Sequence, residues 1–219
     1  MTFEYKEFSA EMIPGLGRVY HTPLGPYPSI TTMLGQSAPP EKTSYLDAWR
    51  ARVGNAKANQ ISNDAATRGT NTHLMLERYV NGEEAYKPDE FPEAHINVFK
   101  SLRLELKKIN RVYGQEVVLY SDILEVAGRC DLVAEYQGVL SIVDYKTSSR
   151  VKSKDEIGDY WLQTAFYALA HNEMFGTNIE KLVIMMGVEN HLPMIFRKAI
   201  DDKLLLELSE RVSEFYSKL

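Results

Sequence analysis

Two β-rich runs, Val126–Tyr136 and Val139–Lys146, flank the dipeptide Gln137-Gly138. Glycine at the second loop position suits a two-residue hairpin, because a type I′ turn needs positive φ there. So tight a turn sets the register of its strands. Tyr136 pairs with Val139, and counting outward puts Asp131 opposite Asp144. Directly opposed residues share a face with Cβ atoms about 4.5–5.5 Å apart, where two carboxylates repel unless a cation lies between them. Lys146 lies two residues past Asp144 and projects to the same side, with Arg129 as its partner in this register. Val139-Leu140-Ser141-Ile142-Val143 is apolar enough for a buried strand. Charges at the end of such a strand are costly without partners. Paired carboxylates suit Mg2+ or Mn2+. The lysine can orient or deprotonate a water, or stabilise charge on a phosphoryl oxygen.

The rest of the chain supplies the frame. The first 45 residues, dense in Pro and Gly, read as irregular, with one short helix capped by Ser29 and ended by Gly35. Thr43 to Val80 reads as helical with breaks at Gly54 and Gly69, Thr70 or Thr72 capping the last piece. Ile96, Phe99, Leu102, Leu106 and Ile109 recur at helical spacing, predicting a helix over Glu93–Asn110. The period then changes to that of strands at Gln115–Tyr120, Val126–Tyr136 and Val139–Lys146. A helix follows over Asp159–Phe175, then strands over Lys181–Val188 and Leu192–Ile200, then a helix from Asp201 or Asp202 to Lys218. The expectation is one mixed α/β domain over 1–219. Its front half, 1–112, is mostly helical, and 113–219 form a β-β-β-α-β-β-α core with a central mixed sheet flanked by helices.

Charge and cysteine usage narrow the function classes. With 25 Lys+Arg against 30 Asp+Glu, the net charge is −5, which argues against a protein that coats nucleic acid by bulk electrostatics. Acids that hold cations reverse that sign locally. Basic residues also cluster in short runs: Arg50, Arg52, Lys57 and Arg68, and then Lys100, Arg103, Lys107 and Lys108. These are either solvated helix faces or guides for a strand. The single cysteine, Cys130, excludes an internal disulfide, a four-cysteine zinc site and a four-cysteine iron–sulfur cluster. No run approaches the length of about 18–20 apolar residues that spans a bilayer. Met1–Glu7 lacks a basic flank followed by an apolar run. No leader and no membrane association are expected, and the cytoplasm, of a bacterium or of a viral host, is the expected compartment.

Three further candidates stand near this chemistry. Gln163 and Tyr167 are four apart on one predicted helix and share a face, as do His73 and Glu77 on another. An imidazole beside carboxylates is a sensible extra ligand for Mn2+. Glu116 precedes the apolar run Val117-Val118-Leu119 and is either a further carboxylate near the metal or the edge of a strand.

Taken together, Asp131, Asp144-Tyr145-Lys146-Thr147 and Gln163-Thr164-Ala165-Phe166-Tyr167 resemble the PD-(D/E)xK nuclease superfamily, and the Gln-x-x-x-Tyr element its RecB-like exonuclease branch. Gly69-Thr70-Asn71-Thr72-His73, with Glu77 one turn later, is similar to the upstream motif of that branch. Tyr20-His21-Thr22-Pro23 and Tyr27-Pro28-Ser29-Ile30-Thr31-Thr32-Met33-Leu34-Gly35 resemble the mitochondrial genome maintenance exonuclease family with its phage and bacterial relatives.

The resemblance implies a restriction-endonuclease-like core and one or two Mg2+ or Mn2+ ions, with no iron–sulfur cluster. Asp131, Asp144, His73 and the carbonyl of Tyr145 would be metal ligands. Lys146 would be the catalytic lysine, and Glu116 matches a family acidic position less securely. Gln163 and Tyr167 would position the lysine and the DNA backbone; Arg129, Thr147, Ser29 and Thr31 complete the candidates for contact with DNA. The implied activity is a metal-dependent DNA exonuclease, from a phage or bacterium, acting at free ends of single-stranded or end-frayed DNA. An endonuclease with the same residues and a non-catalytic DNA-binding module are the alternatives. DNA is the expected partner, and a replication or recombination protein is an open second one.

Overall fold

A computed structural model describes residues 2–219. Its centre is a five-stranded sheet of β4 (Ile109–Ser121), β5 (Val126–Tyr136), β6 (Val139–Ser148), β7 (Lys181–Val188) and β8 (Met194–Ala199) in sequential order; β1–β3 lie in the N-terminal segment and are given below. The β5–β6 turn has positive φ at both Gln137 (52°) and Gly138 (78°), as a type I′ turn requires. It sets the register read from the sequence, from Tyr136↔Val139 to Leu132↔Val143. Among the neighbouring strands of this sheet, only β6 and β7 run parallel. A parallel pair needs a crossover, and here it is α5 (Gly158–Phe175), closed by Gly176 at φ 64°.

The strands are buried on both faces, which explains their near-continuous apolar runs. Val133 and Ile142 point into a cluster with Ile30, Phe166, Leu208 and Phe215, the side covered by α1 (Ile30–Gln36), α5 and α6 (Asp202–Tyr216). Their strand neighbours Leu132 and Val143 point the other way, to Met75, Leu76, Phe99 and Leu102. That side is covered by α3 (Asn55–Val80) and α4 (Glu93–Leu106), with α2 (Pro40–Val53) leading into α3. Among the described residues no helix is long and apolar enough to cross a membrane.

The structure departs from the sequence reading in four places. The segment read as irregular holds a second, three-stranded sheet of β1 (Ala10–Ile13), β2 (Gly17–Thr22) and β3 (Gly25–Pro28). Its strands are too short to alternate visibly, and its glycines make the turns that punctuate them. Gly69 does not break α3, which runs through it for 26 residues; one glycine costs only about 1 kcal/mol in a helix. Gly54, at φ 82°, is the true break. The helix expected to reach Asn110 ends at Leu106, and β4 starts at Ile109, six residues before the expected strand. The hairpin turn recruits this segment: Gln137 donates its amide to Lys108 O at 2.9 Å, and Gly138 donates to Asn110 Oδ1 at 2.8 Å.

Gly187 on β7 fits directly beneath α4. A Cβ there would lie 2.5 Å from Val98 Cγ1 and 3.2 Å from the Val98 carbonyl oxygen.

Candidate active site

The β5–β6 ladder stops one pair short of the two aspartates. Asp131 and Asp144 are next in register, but Asp131 Oδ2 instead accepts the backbone N–H of Tyr145 at 2.7 Å. The strands therefore part where the acids stand, and β6 continues along β7 alone, pairing through Ser148↔Val188. Asp144 is fully buried, and its carboxylate forms an ion pair with Lys146. Its Oδ1 is buried without a hydrogen-bond partner. Lys146 follows the two-residue spacing onto the same side. Arg129 does not join it as expected. With the ladder opened, its guanidinium turns back to the carbonyl of Glu116 and to Glu7, whose Oε2 is 3.4 Å away.

Glu116 lies across from Asp131, between the paired positions Gln115↔Leu132 and Val117↔Cys130. Its φ is 53°, a left-handed value uncommon outside glycine and typical of positions where the surroundings hold a side chain in place. From α3, His73 brings Nε2 to 3.0 Å from the Tyr145 carbonyl oxygen and Nδ1 to 3.6 Å from Asp131 Oδ1. A proton on Nε2, donated to that carbonyl, leaves the Nδ1 lone pair facing the carboxylate. The carbonyl expected as a metal ligand is thus tied to His73. His73, Glu116 and Asp131 each offer one ligand atom, all within 4.8 Å of one another.

These acids are electrostatically unfinished. Burial, then the charge of Asp131, pushes the Glu116 carboxyl up to about 7. Burial, opposed by Lys146, raises that of Asp144 to about 6. The Lys146 ammonium is held above its usual range, its own burial outweighed by Asp144 and Asp131. Two oxygen donors and an imidazole converge, and beside them a buried carboxylate oxygen has no hydrogen-bond partner. That donor set fits a hard divalent cation, which would relieve the crowding of like charges.

A cavity of about 520 Å3 opens over this group, lined by Arg18, Gly69, Thr70, His73, Leu74, Glu77 and Glu116. Glu77 shares the face of His73, as its spacing predicts. Arg18 is a residue that sequence reasoning missed. It is a single exposed arginine in a segment read as irregular, and it forms no salt bridge among the described residues. Its backbone is pinned: its N–H donates to Thr32 Oγ1 at 3.3 Å and its carbonyl accepts from Ser29 N–H at 2.8 Å.

Several expected DNA contacts are used inside the protein. Ser29 is buried, caps α1 through Thr32 N–H at 3.1 Å, and bonds the hydroxyls of Thr31 and Thr32; Thr31 itself is exposed. Gln163 donates to Tyr167 Oη at 3.0 Å, not to Lys146. Tyr167 is buried against Gly128, where a Cβ would lie 2.9 Å from its ring. Arg68, expected among strand guides, is buried and paired with Glu189 at 2.7 Å. Thr147 remains half-exposed, facing Gly69.

Comparison with known proteins settles the family. A profile of the PD-(D/E)XK nuclease superfamily matches residues 14–191. The chain belongs to this superfamily. The pattern in the superfamily's name reads here Cys130-Asp131 and Asp144-Tyr145-Lys146, with the buried Cys130 in the place of proline. PD-(D/E)XK nucleases generally use divalent metals, which agrees with the donor set. The chain is similar to mitochondrial genome maintenance exonuclease 1 of Mus musculus, 29% identical over 130 residues, covering 57% of this chain and 38% of that protein. The Xenopus tropicalis protein of the same name is 27% identical over 202 residues, covering 88% of this chain and 57% of that one. The chain thus spans roughly two fifths to three fifths of the length of these curated relatives. A solved alkaline exonuclease from Laribacter hongkongensis superposes with a TM-score of 0.47 at 11% identity, covering 87% of this chain and 86% of that one.

Proposed function

We propose that this PD-(D/E)XK protein is a metal-dependent DNA exonuclease that hydrolyses phosphodiester bonds from free ends of single-stranded or frayed DNA. The observation that carries the reading is the meeting of His73, Glu116 and Asp131 within 4.8 Å, beside the buried Asp144–Lys146 pair. The name of the relatives, mitochondrial genome maintenance exonuclease 1, supports the exonuclease part. A Mg2+ or Mn2+ ion held by His73 Nδ1, Glu116, Asp131 and Asp144 would polarise a phosphate oxygen and lower the pKa of an attacking water.

The chain's own groups do the rest. Asp144 fixes Lys146 and keeps it protonated, so the ammonium donates to the phosphate oxygen on which charge develops. The carbonyl of Tyr145 sets the ring of His73. Arg18, across the cavity, holds a neighbouring phosphate. The whole chain acts as one nuclease domain, since the helical front half supplies His73 and the sheet supplies the carboxylates. Cytoplasmic residence belongs to the same reading, supported by a composition that suits a reducing compartment.

The test is a digestion of linear and circular single-stranded DNA with Mg2+ or Mn2+. Linear strands should disappear while circles persist. Circles cut open to linear strands would make the enzyme an endonuclease, and two intact substrates would sink the nuclease reading.

Arg18→Ala should raise KM for DNA about tenfold and leave kcat within a factor of about three, as expected for one lost charge-assisted phosphate contact. Steady-state kinetics on short oligonucleotides check this. An unchanged KM removes Arg18 from the substrate.

Metal-free protein should lose stability as pH rises. The stabilising effect of a neutral Glu116 is complete below its ordinary 4.5 and is lost as pH rises through about 7. Asp144 adds the same trend between 3.8 and about 6. The Tm in chelator should therefore fall from pH 5 to pH 8, and Mn2+ should raise it more at pH 8 than at pH 5. A flat profile with no effect of Mn2+ contradicts this assignment of the site.

A further inference from the structure

We propose that Tyr160, at the start of α5, is a positioning residue for Lys146. The inference rests on the nuclease reading above. Gln163 is bonded to Tyr167 and leaves the lysine to another partner. That partner is the aromatic ring one turn earlier on the same helix: the Lys146 ammonium lies 5.2 Å from the Tyr160 ring centroid. The ammonium of Lys146 thus meets both a buried carboxylate, Asp144, and an aromatic face. A cation over an aromatic ring is attracted by its quadrupole, more strongly where water is scarce.

The ring is itself secured from outside. Lys152 donates to the Tyr160 hydroxyl at 2.9 Å, and its ammonium is 4.8 Å from the ring centroid. Tyr160 also packs against the cluster of Ile157, Ile184, Met186 and Phe196, which ties the lysine's position to the core beneath α5. A long, flexible side chain thereby keeps one geometry before substrate arrives. Such preorganisation raises turnover and not affinity.

The test combines two readouts on the full chain. In 1H–13C spectra of lysine-labelled protein, the Lys146 ε-methylene, assigned with Lys146→Arg, should be shifted upfield by the ring. The shift should vanish in Tyr160→Leu and persist in Tyr160→Phe. Tyr160→Leu should lower kcat on linear single-stranded DNA about tenfold with KM little changed, while Tyr160→Phe, which keeps the ring, restores most of the turnover. An unshifted Lys146 resonance in the wild type overturns the proposal. So does wild-type kcat in a folded Tyr160→Leu, or equal loss in the Phe and Leu variants, which would give the role to the hydroxyl. If wild-type protein cleaves no DNA, the nuclease reading fails, and the spectra still decide whether the ring holds the lysine.

Discussion

Asp144→Asn should abolish cleavage, by about three orders of magnitude or more, and leave the melting temperature close to that of the wild type. Asparagine keeps the shape but removes a carboxylate that is fully buried and crowded by Asp131. The same charge fixes the Lys146 ammonium, so both the acid and the lysine's position are lost. Losses of about 10²–10³ follow removal of one group that acts only on transition-state charge, and here two are disabled. Stability changes little, because relief of the buried carboxylate is offset by loss of the partner of the largely buried Lys146 ammonium. Lys146→Ala should be equally inactive yet melt lower. It leaves the Asp144 carboxylate buried without a cation, a change that destabilises by about 3–5 kcal/mol when the charge persists. The loss should be smaller at pH 5, where Asp144 takes up a proton. Activity assays with melts at pH 5 and pH 8 check both variants. A Lys146→Ala protein with full activity removes the lysine from the mechanism.

Gly187→Val should lower the melting temperature by about 6–12 °C, from a loss of about 3 kcal/mol in a chain of this size. The glycine has an ordinary backbone conformation, so its need is for space and not for flexibility. Even a Cβ would meet Val98 Cγ1 at 2.5 Å and Leu102 Cδ1 at 3.3 Å. The Val98 carbonyl oxygen, at 3.2 Å, belongs to the backbone of α4 and cannot swing aside as a side chain can. Valine must lift α4 from the sheet or bend β7, which pairs with Thr147 at this position. Thermal denaturation of metal-free protein measures the effect. A melting temperature within about 2 °C of the wild type would show that α4 is not seated on this glycine.

The central sheet was legible because its signals are local. A type I′ turn at Gln137-Gly138 forces one register, and helical spacing with Gly176 marks α5. The N-terminal sheet was not, since strands of four to six residues are too short to show an alternation. At the site, spacing placed Lys146 beside Asp144 and His73 beside Glu77. It did not show that the ladder would open at Asp131, because that depends on a side chain taking the N–H of Tyr145. Nor did it find Arg18 or Tyr160, which reach the site through long-range packing of β2 and α5. Gln163 and Tyr167 share a face as predicted, but that closeness lets them satisfy each other.

The most direct test follows Mn2+ binding and DNA cleavage in one titration, with binding read by electron paramagnetic resonance and cleavage by an end-labelled linear single strand. Wild-type protein should bind and cleave with a shared half-saturation. Glu116→Gln should shift both to Mn2+ concentrations about tenfold or more higher while the fold stays intact. Cleavage that persists in chelator, or Mn2+ binding that is the same in Glu116→Gln as in the wild type, would contradict a metal site built from His73, Glu116 and Asp131.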